Sequence, residues 1–140
     1  MTEAEWREFI MVGTRTGKLG AVRADGRPLV LPIWFVRGDH ATLMFQTSTS
    51  SAKVRAIRHE PRVCLTVDDE TPPYSFVMIE ALATVITDDD DLCQRIAREC
   101  GARYMGADRA EEFARRNAVP GECVVVLQPT RVIAEAGVSA

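Results

Sequence analysis

The sequence predicts an α+β fold in which an antiparallel sheet closes into a barrel and helices flank it. Three observations lead there. Short apolar runs with strand character dominate the chain and are joined by turn signals. One short helical segment is inserted among these runs, and two more precede the last pair. Several of the strands are apolar on both faces, as a sheet wrapped around its own core requires.

The elements follow in order. Thr2 caps a first helix and Glu5 completes a capping box, with Trp6, Phe9 and Ile10 on one face and Gly13 as the stop. Trp6 reads as a core anchor in preference to a ring that stacks on a cofactor. The basic turn Arg15-Thr16-Gly17-Lys18 leads into a strand over Leu19–Ala24. Asp25-Gly26 is a hairpin signal, and the next strand runs from Pro28 to Val36. That strand is almost continuously apolar, so it is expected to be covered on both faces, and Pro32 requires an edge position or a bulge.

After the turn Arg37–His40, a strand over Thr42–Phe45 enters the hydroxyl-rich turn Thr47, Ser48, Thr49, Ser50, Ser51. A short helix follows in which Val54 and Ile57 pack inward while Lys53, Arg55 and Arg58 point elsewhere. A further strand opens at Pro61 with Val63, Leu65 and Val67. Beyond the acidic turn Asp68-Asp69-Glu70 and Pro72-Pro73 lies a long strand, Tyr74–Thr87, apolar on both faces except at Glu80. Core on one side and a partner subunit on the other would cover such a strand. An ion pair with an arginine accounts for Glu80 better than a role as general base. Asp88–Asp91 complements the dipole of a helix carrying Leu92, Cys93, Ile96, Ala97, Cys100 and Tyr104. A shorter helix with Ala110, Phe113 and Ala114 stops at Asn117 and Pro120-Gly121. Strands Cys123–Leu127 and Thr130–Ala134, separated by Gln128-Pro129, close the fold.

Composition bounds the function. With 140 residues and no internal linker, the expectation is one domain over residues 1–140. A net charge of −3 argues against general affinity for nucleic acid or membrane, so any basic function is local. No apolar run approaches a membrane span and no segment has the order of a signal peptide, which makes the cytoplasm the expected location. Cys64, Cys93, Cys100 and Cys123 are widely spaced, with only His40 and His59 to assist, and read as buried thiols with no metal site.

The hydroxyl turn is the chemically informative stretch. Hydroxyls and free N–H groups at a helix N-terminus, with Lys53 in the first turn, form an anion site, read here as a phosphate seat. Nowhere does the chain carry a nucleophile elbow, a Walker loop or a dinucleotide fingerprint. Catalytic residues are not identifiable, so a bound cofactor would carry the chemistry while the protein positions it.

Three segments carry a family resemblance: GTRTGKLGAVRADGRPLVLPIWFV (Gly13–Val36), TSTSSAKVRAIRHEPRVCLTVDDETPPYSFVMIEALA (Thr47–Ala83) and ARYMGADRAEEFARRN (Ala102–Asn117). With its D-G-R-P hairpin and its K-x-R-x-[hydrophobic]-R-x-x-P-R-V core, the chain resembles the pyridoxamine 5′-phosphate oxidase-like, flavin-binding split-barrel family, and within it the branch that uses the deazaflavin coenzyme F420. The resemblance implies a six- to seven-stranded split β-barrel, and a homodimer with two cofactor sites between the barrels. It implies phosphate binding by Thr47, Ser48, Thr49, Ser51 and Lys53, ring contacts from the backbone of Leu31, Pro32, Ile33 and Trp34, and an aromatic wall from the partner's side at positions matching Tyr74 and Phe76. Ala81 departs from the glycine of the family's E-G-x-A pattern.

Charge bears on the choice of cofactor. FMN has one phosphate, whereas the deazaflavin adds an oligoglutamate tail and rewards an extended cationic track, which Lys53, Arg55 and Arg58, with Arg15 and Lys18 nearby, would supply. The leading expectation is an F420-dependent oxidoreductase that transfers a hydride to a small unsaturated or quinone-like substrate. An FMN-dependent oxidoreductase of the same fold, and a binding protein that holds the cofactor without turnover, stand beside it.

Overall fold

A computed structural model describes the whole chain, Met1–Ala140. Its elements are α1 (Glu3–Phe9), β1 (Gly17–Val22), β2 (Pro28–Ile33), β3 (Val36–Arg37), β4 (Leu43–Ser48), α2 (Ala52–His59), β5 (Arg62–Asp69), β6 (Ser75–Ile86), α3 (Asp90–Met105), a 3₁₀ turn (Ala107–Arg109), α4 (Ala110–Asn117) and β7 (Glu122–Glu135). All seven strands join one antiparallel sheet in the order β2-β1-β5-β6-β7-β4-β3. The two edge strands, β2 and β3, are consecutive in the chain and separated only by Trp34 and Phe35. The sheet therefore curls until two residues bridge its edges, which makes it the split barrel that the patterning predicts.

Local signals explain the elements. The capping box at α1 is formed in both directions, Glu5 N–H to Thr2 Oγ1 at 3.2 Å and Thr2 N–H to the Glu5 carboxylate at 2.6 Å. The Asp25-Gly26 hairpin closes through Gly26 N–H to Arg23 O at 2.9 Å, with Gly26 at φ +87°, a conformation that suits glycine. Asp89 caps α3 by accepting from Leu92 N–H.

Alternate strand residues fill the barrel. Leu19, Leu65, Val67, Val77, Ile79, Val125 and Leu127 are buried there, capped by Trp6 and Ile10 from α1 and by Val54, Ala56 and Ile57 from α2. Phe35, at the bridge, has no exposed surface and belongs to the same core. A side chain of that size buried fully contributes about 1.5–3 kcal/mol, so the bridge is an anchored part of the barrel. A smaller cluster, including Val36, Cys93, Ile96, Cys100 and Val124, seats α3 on the β3–β4 end of the sheet. There Gly101 lets α3 meet α4: a Cβ on it would lie 2.6 Å from Phe113 Cβ.

Two expectations need correction. Residues 28–36 are not one strand covered on both faces. The chain breaks at Trp34-Phe35, and β2 alternates: Leu29 and Ile33 are buried while Val30 is 66% exposed. The run is apolar because its residues meet different surroundings, the core on one face and an open apolar hollow on the other. Pro32 does lie on an edge strand, as its missing donor requires.

The closing strands 123–127 and 130–134 are one strand, β7. Glu80 faces Arg131 and Ala81 faces Pro129, so Thr130 is an extra residue in a bulge, and its hydroxyl donates to Glu80 O at 3.1 Å. The bulge absorbs the proline that reads as a break. Glu80 meets Arg131 only at 4.0 Å, an ion pair at its outer limit.

Candidate functional site

The hydroxyl turn joins β4 to α2 and is held by its own side chains. Ser51 caps α2 by accepting from Val54 N–H at 3.3 Å, and the Ser48 and Ser50 hydroxyls lie 2.9 Å apart. Thr49 is clasped to the start of β7, its N–H donating to Gly121 O at 2.8 Å and its hydroxyl to the same oxygen at 3.0 Å. The Lys53 N–H makes no hydrogen bond within the chain, as expected of a first-turn amide. Lys53, Arg55 and Arg58 form no ion pair with any carboxylate. One short helix thus carries three cations without carboxylate partners: Lys53 in its first turn, Arg55, which donates to Ser50 O of the hydroxyl turn, and Arg58 in its last turn.

Lys53 also lines a groove of about 240 Å³ with Pro32, Ile33, Trp34, Phe45, Gln46, Cys100 and Asn117. The β2 edge predicted to contact a ring and the lysine predicted to hold a phosphate therefore share one cavity. Trp34 is stacked on Tyr104 with ring centroids 5.1 Å apart and planes 7° from parallel, and it leans on Phe113 at 5.9 Å.

Behind this stack, α3 clamps the bridge. Tyr104 Oη accepts from Phe35 N–H at 3.2 Å and lies 2.9 Å from Arg15 O. The Arg103 guanidinium donates to Gly13 O at 3.0 Å, Phe35 O at 2.7 Å, Ile10 O at 2.8 Å and Arg15 O at 3.2 Å. Burial lowers the pKa of Arg103 because no carboxylate compensates its charge, and four carbonyl dipoles solvate it instead.

The remaining expected site residues fall elsewhere. Leu31 is half-buried against the core. Thr49 and Arg58 line a second hollow with Asp88, Asp90 and Glu122. Arg55 faces a third, of about 480 Å³, with Arg23 and Arg27 of the hairpin. Tyr74 and Phe76 line a fourth, with Lys18 and Asp68, away from Trp34 and Lys53 within the chain.

Arg15 and Lys18 do not extend the cationic track. Arg15 pairs with Asp69 at 3.1 Å and Lys18 with Asp68 at 2.8 Å, which neutralises both. Arg23 and Arg27 of the hairpin, which the sequence reading passed over, flank Arg55, but Arg27 pairs with Asp25 at 2.8 Å, so only Arg23 adds an unpaired cation there. Arg103, Tyr104, Gln46 and Glu122 were also missed. The signal for the first two was a basic-aromatic pair late on a helix, which means nothing until the bridge it touches is known.

Within the groove, burial pushes the Cys100 thiol up to about 12, so it stays protonated and is a poor nucleophile. The lining offers shape, one ammonium and amides, and no activated base.

Comparison with known proteins decides the family. The family model described as pyridoxamine 5′-phosphate oxidase matches residues 2–135, nearly the whole chain. The chain belongs to this family. As a pyridoxamine 5′-phosphate oxidase-like protein it has a flavin-binding fold and sits in a family that includes oxidoreductases.

Among solved structures, a conserved hypothetical protein from Mycobacterium tuberculosis superposes with a TM-score of 0.83 at 23% identity, covering 98% of this chain and 86% of its own. The heme storage protein HutZ from Vibrio cholerae does so with a TM-score of 0.72 at 20% identity, covering 94% and 92%. Both likenesses speak for the fold. A structure titled F420 reductase matches with a TM-score of 0.69 at 25% identity, covering 90% of this chain and 94% of its own. No curated protein matches the chain. No helix is long and apolar enough to cross a membrane.

Proposed function

We propose that the chain is a cytoplasmic oxidoreductase that binds coenzyme F420 in the groove between β2 and α2 and serves hydride transfer to a small unsaturated or quinone-like acceptor. One observation carries this reading. Lys53, Arg55 and Arg58 of α2 all lack a carboxylate partner, and Arg23 of the hairpin, also unpaired, lines the same hollow as Arg55. That is more positive charge than a single phosphate calls for and suits a phosphodiester followed by an anionic tail. The 25% identity to an F420 reductase supports it. FMN, with one phosphate, leaves the charges of Arg55 and Arg23 without an anionic partner.

The donor set fits such a group. Lys53 and its free N–H would hold the phosphate, with Thr47 and Ser48 beside them. The β2 edge at Pro32–Trp34 would face the ring, and the Trp34–Tyr104 stack would hold that edge flat. The cofactor supplies the hydride chemistry. The chain's own residues bind and orient it.

Two copies complete the site in this reading. Tyr74 and Phe76 lie outside the groove of their own chain, so only a second copy brings them to it. A hollow of about 630 Å³ bordered by Val22, Val30, Ala81 and Leu82 offers the apolar face a homodimer would cover.

A second reading, cofactor binding without turnover, is favoured by the absence of an activated base or thiol from the groove lining. Turnover separates the two. Reduced coenzyme F420, mixed with the protein and a panel of quinone and enone acceptors, is expected to be oxidised faster than without protein for at least one acceptor. Tight binding with no acceleration by any acceptor would favour storage.

A further inference from the structure

Glu122 opens β7 directly opposite Ser48, the last residue of β4. Gly121, just before it, accepts both hydrogen bonds from Thr49, so the backbone of Glu122 is fixed to the hydroxyl turn. Its Oε2 is covered and has no hydrogen-bond partner. Burial raises the pKa of this carboxyl; Gln46 and Lys53 offset that in part, although neither gives Oε2 a hydrogen bond. Around it stand Lys53 and Arg58 of α2, Asp88 and Asp90 at the start of α3, and the thiols of Cys93 and Cys123. A carboxylate with no ion-pair contact therefore lines the hollow on the Thr49 side of the hydroxyl turn, within electrostatic reach of Lys53.

A ligand phosphate held by Lys53 would meet that negative charge. A phosphodiester carries one charge, whereas a phosphomonoester carries about 1.5–2 at neutral pH. The difference interacts with a neighbouring carboxylate through a partly desolvated medium, where an additional charge has a sizeable effect. We infer that Glu122 selects the cofactor by the charge of its phosphate, admitting a singly charged diester and resisting a doubly charged monoester. This rests on the reading of Lys53 as the phosphate seat. It assigns to Glu122 the discrimination between the deazaflavin and FMN, two cofactors whose rings would contact the same β2 edge.

The test is equilibrium titration at neutral pH of the wild-type protein, Glu122→Gln and Glu122→Asp with three probes: coenzyme F420, FMN and riboflavin, which has no phosphate. In Glu122→Gln, FMN is expected to bind about tenfold more tightly while coenzyme F420 changes by less than about threefold. Riboflavin should bind all three proteins alike, and Glu122→Asp should keep the wild-type preference. Thermal melting checks the fold: losing an uncompensated, partly buried charge should leave Glu122→Gln at least as stable as the wild type. Unchanged or weaker FMN binding in a folded Glu122→Gln, with coenzyme F420 still bound, overturns this inference alone. So does a riboflavin gain equal to that of FMN. Failure of wild type and variants alike to bind either phosphorylated cofactor overturns the inference and the cofactor reading together.

Discussion

Replacing Arg103 with methionine is expected to lower the free energy of unfolding by about 3–4 kcal/mol, seen as an earlier midpoint in urea denaturation. The side chain reaches four backbone carbonyls, two at the end of α1 and its turn, one before β1 and one at the bridge between β2 and β3. Hydrogen bonds to a charged donor are worth about 1.5–3 kcal/mol each, and water would recover part of the loss because the guanidinium is only half-buried. The bridge is where the sheet's two edges meet, so loosening it also loosens the Trp34 edge of the groove. Lysine keeps the charge and should restore only part of the stability, since an ammonium cannot reproduce the planar fork. A loss below about 1 kcal/mol would mean that the clamp is not what holds the bridge.

For Lys53→Ala the expectation is reversed, with a large effect on binding and a small one on folding. A charge-assisted contact to phosphate is worth about 1.5–3 kcal/mol, a weakening of coenzyme F420 binding by about ten- to a hundredfold. The side chain makes no ion pair or hydrogen bond in the chain, so its removal should shift stability by no more than about 0.5 kcal/mol. Calorimetry for affinity and thermal melting for stability, on the same preparation, measure both. A marked fall in melting temperature with affinity unchanged would assign Lys53 to the scaffold.

What could be read from the sequence follows how local each determinant is. The capping box at Thr2 and Glu5 and the Asp25-Gly26 hairpin are complete within four residues, and both appear as expected. The hydroxyl turn and the β2 edge were both legible, and the structure brings Lys53 and Pro32–Trp34 to one groove. The non-local features were not legible. Arg15 and Lys18 look like free cations until Asp69 and Asp68, 54 and 50 residues away, arrive beside them. Arg103 has no visible role until Phe35, 68 residues earlier, comes within reach. The break at Trp34-Phe35 carries no glycine or proline because burial of Phe35 enforces the turn of direction. Conversely, Pro129 signals a break that the bulge at Thr130 makes unnecessary. Glu122 is an ordinary loop-end acid in the sequence, and only the pairing of β4 with β7 places it beside the hydroxyl turn.

In the proposed reading the Lys53 groove holds a deazaflavin by its phosphate arm. The most direct test of that reading is a fluorescence titration of the wild-type protein with oxidised coenzyme F420, run beside the same deazaflavin lacking the phosphate and tail. Saturable binding of the full coenzyme at micromolar concentration is expected, with the truncated form at least about tenfold weaker. Equal affinity for the two forms, or no binding of the full coenzyme at tens of micromolar, would contradict it.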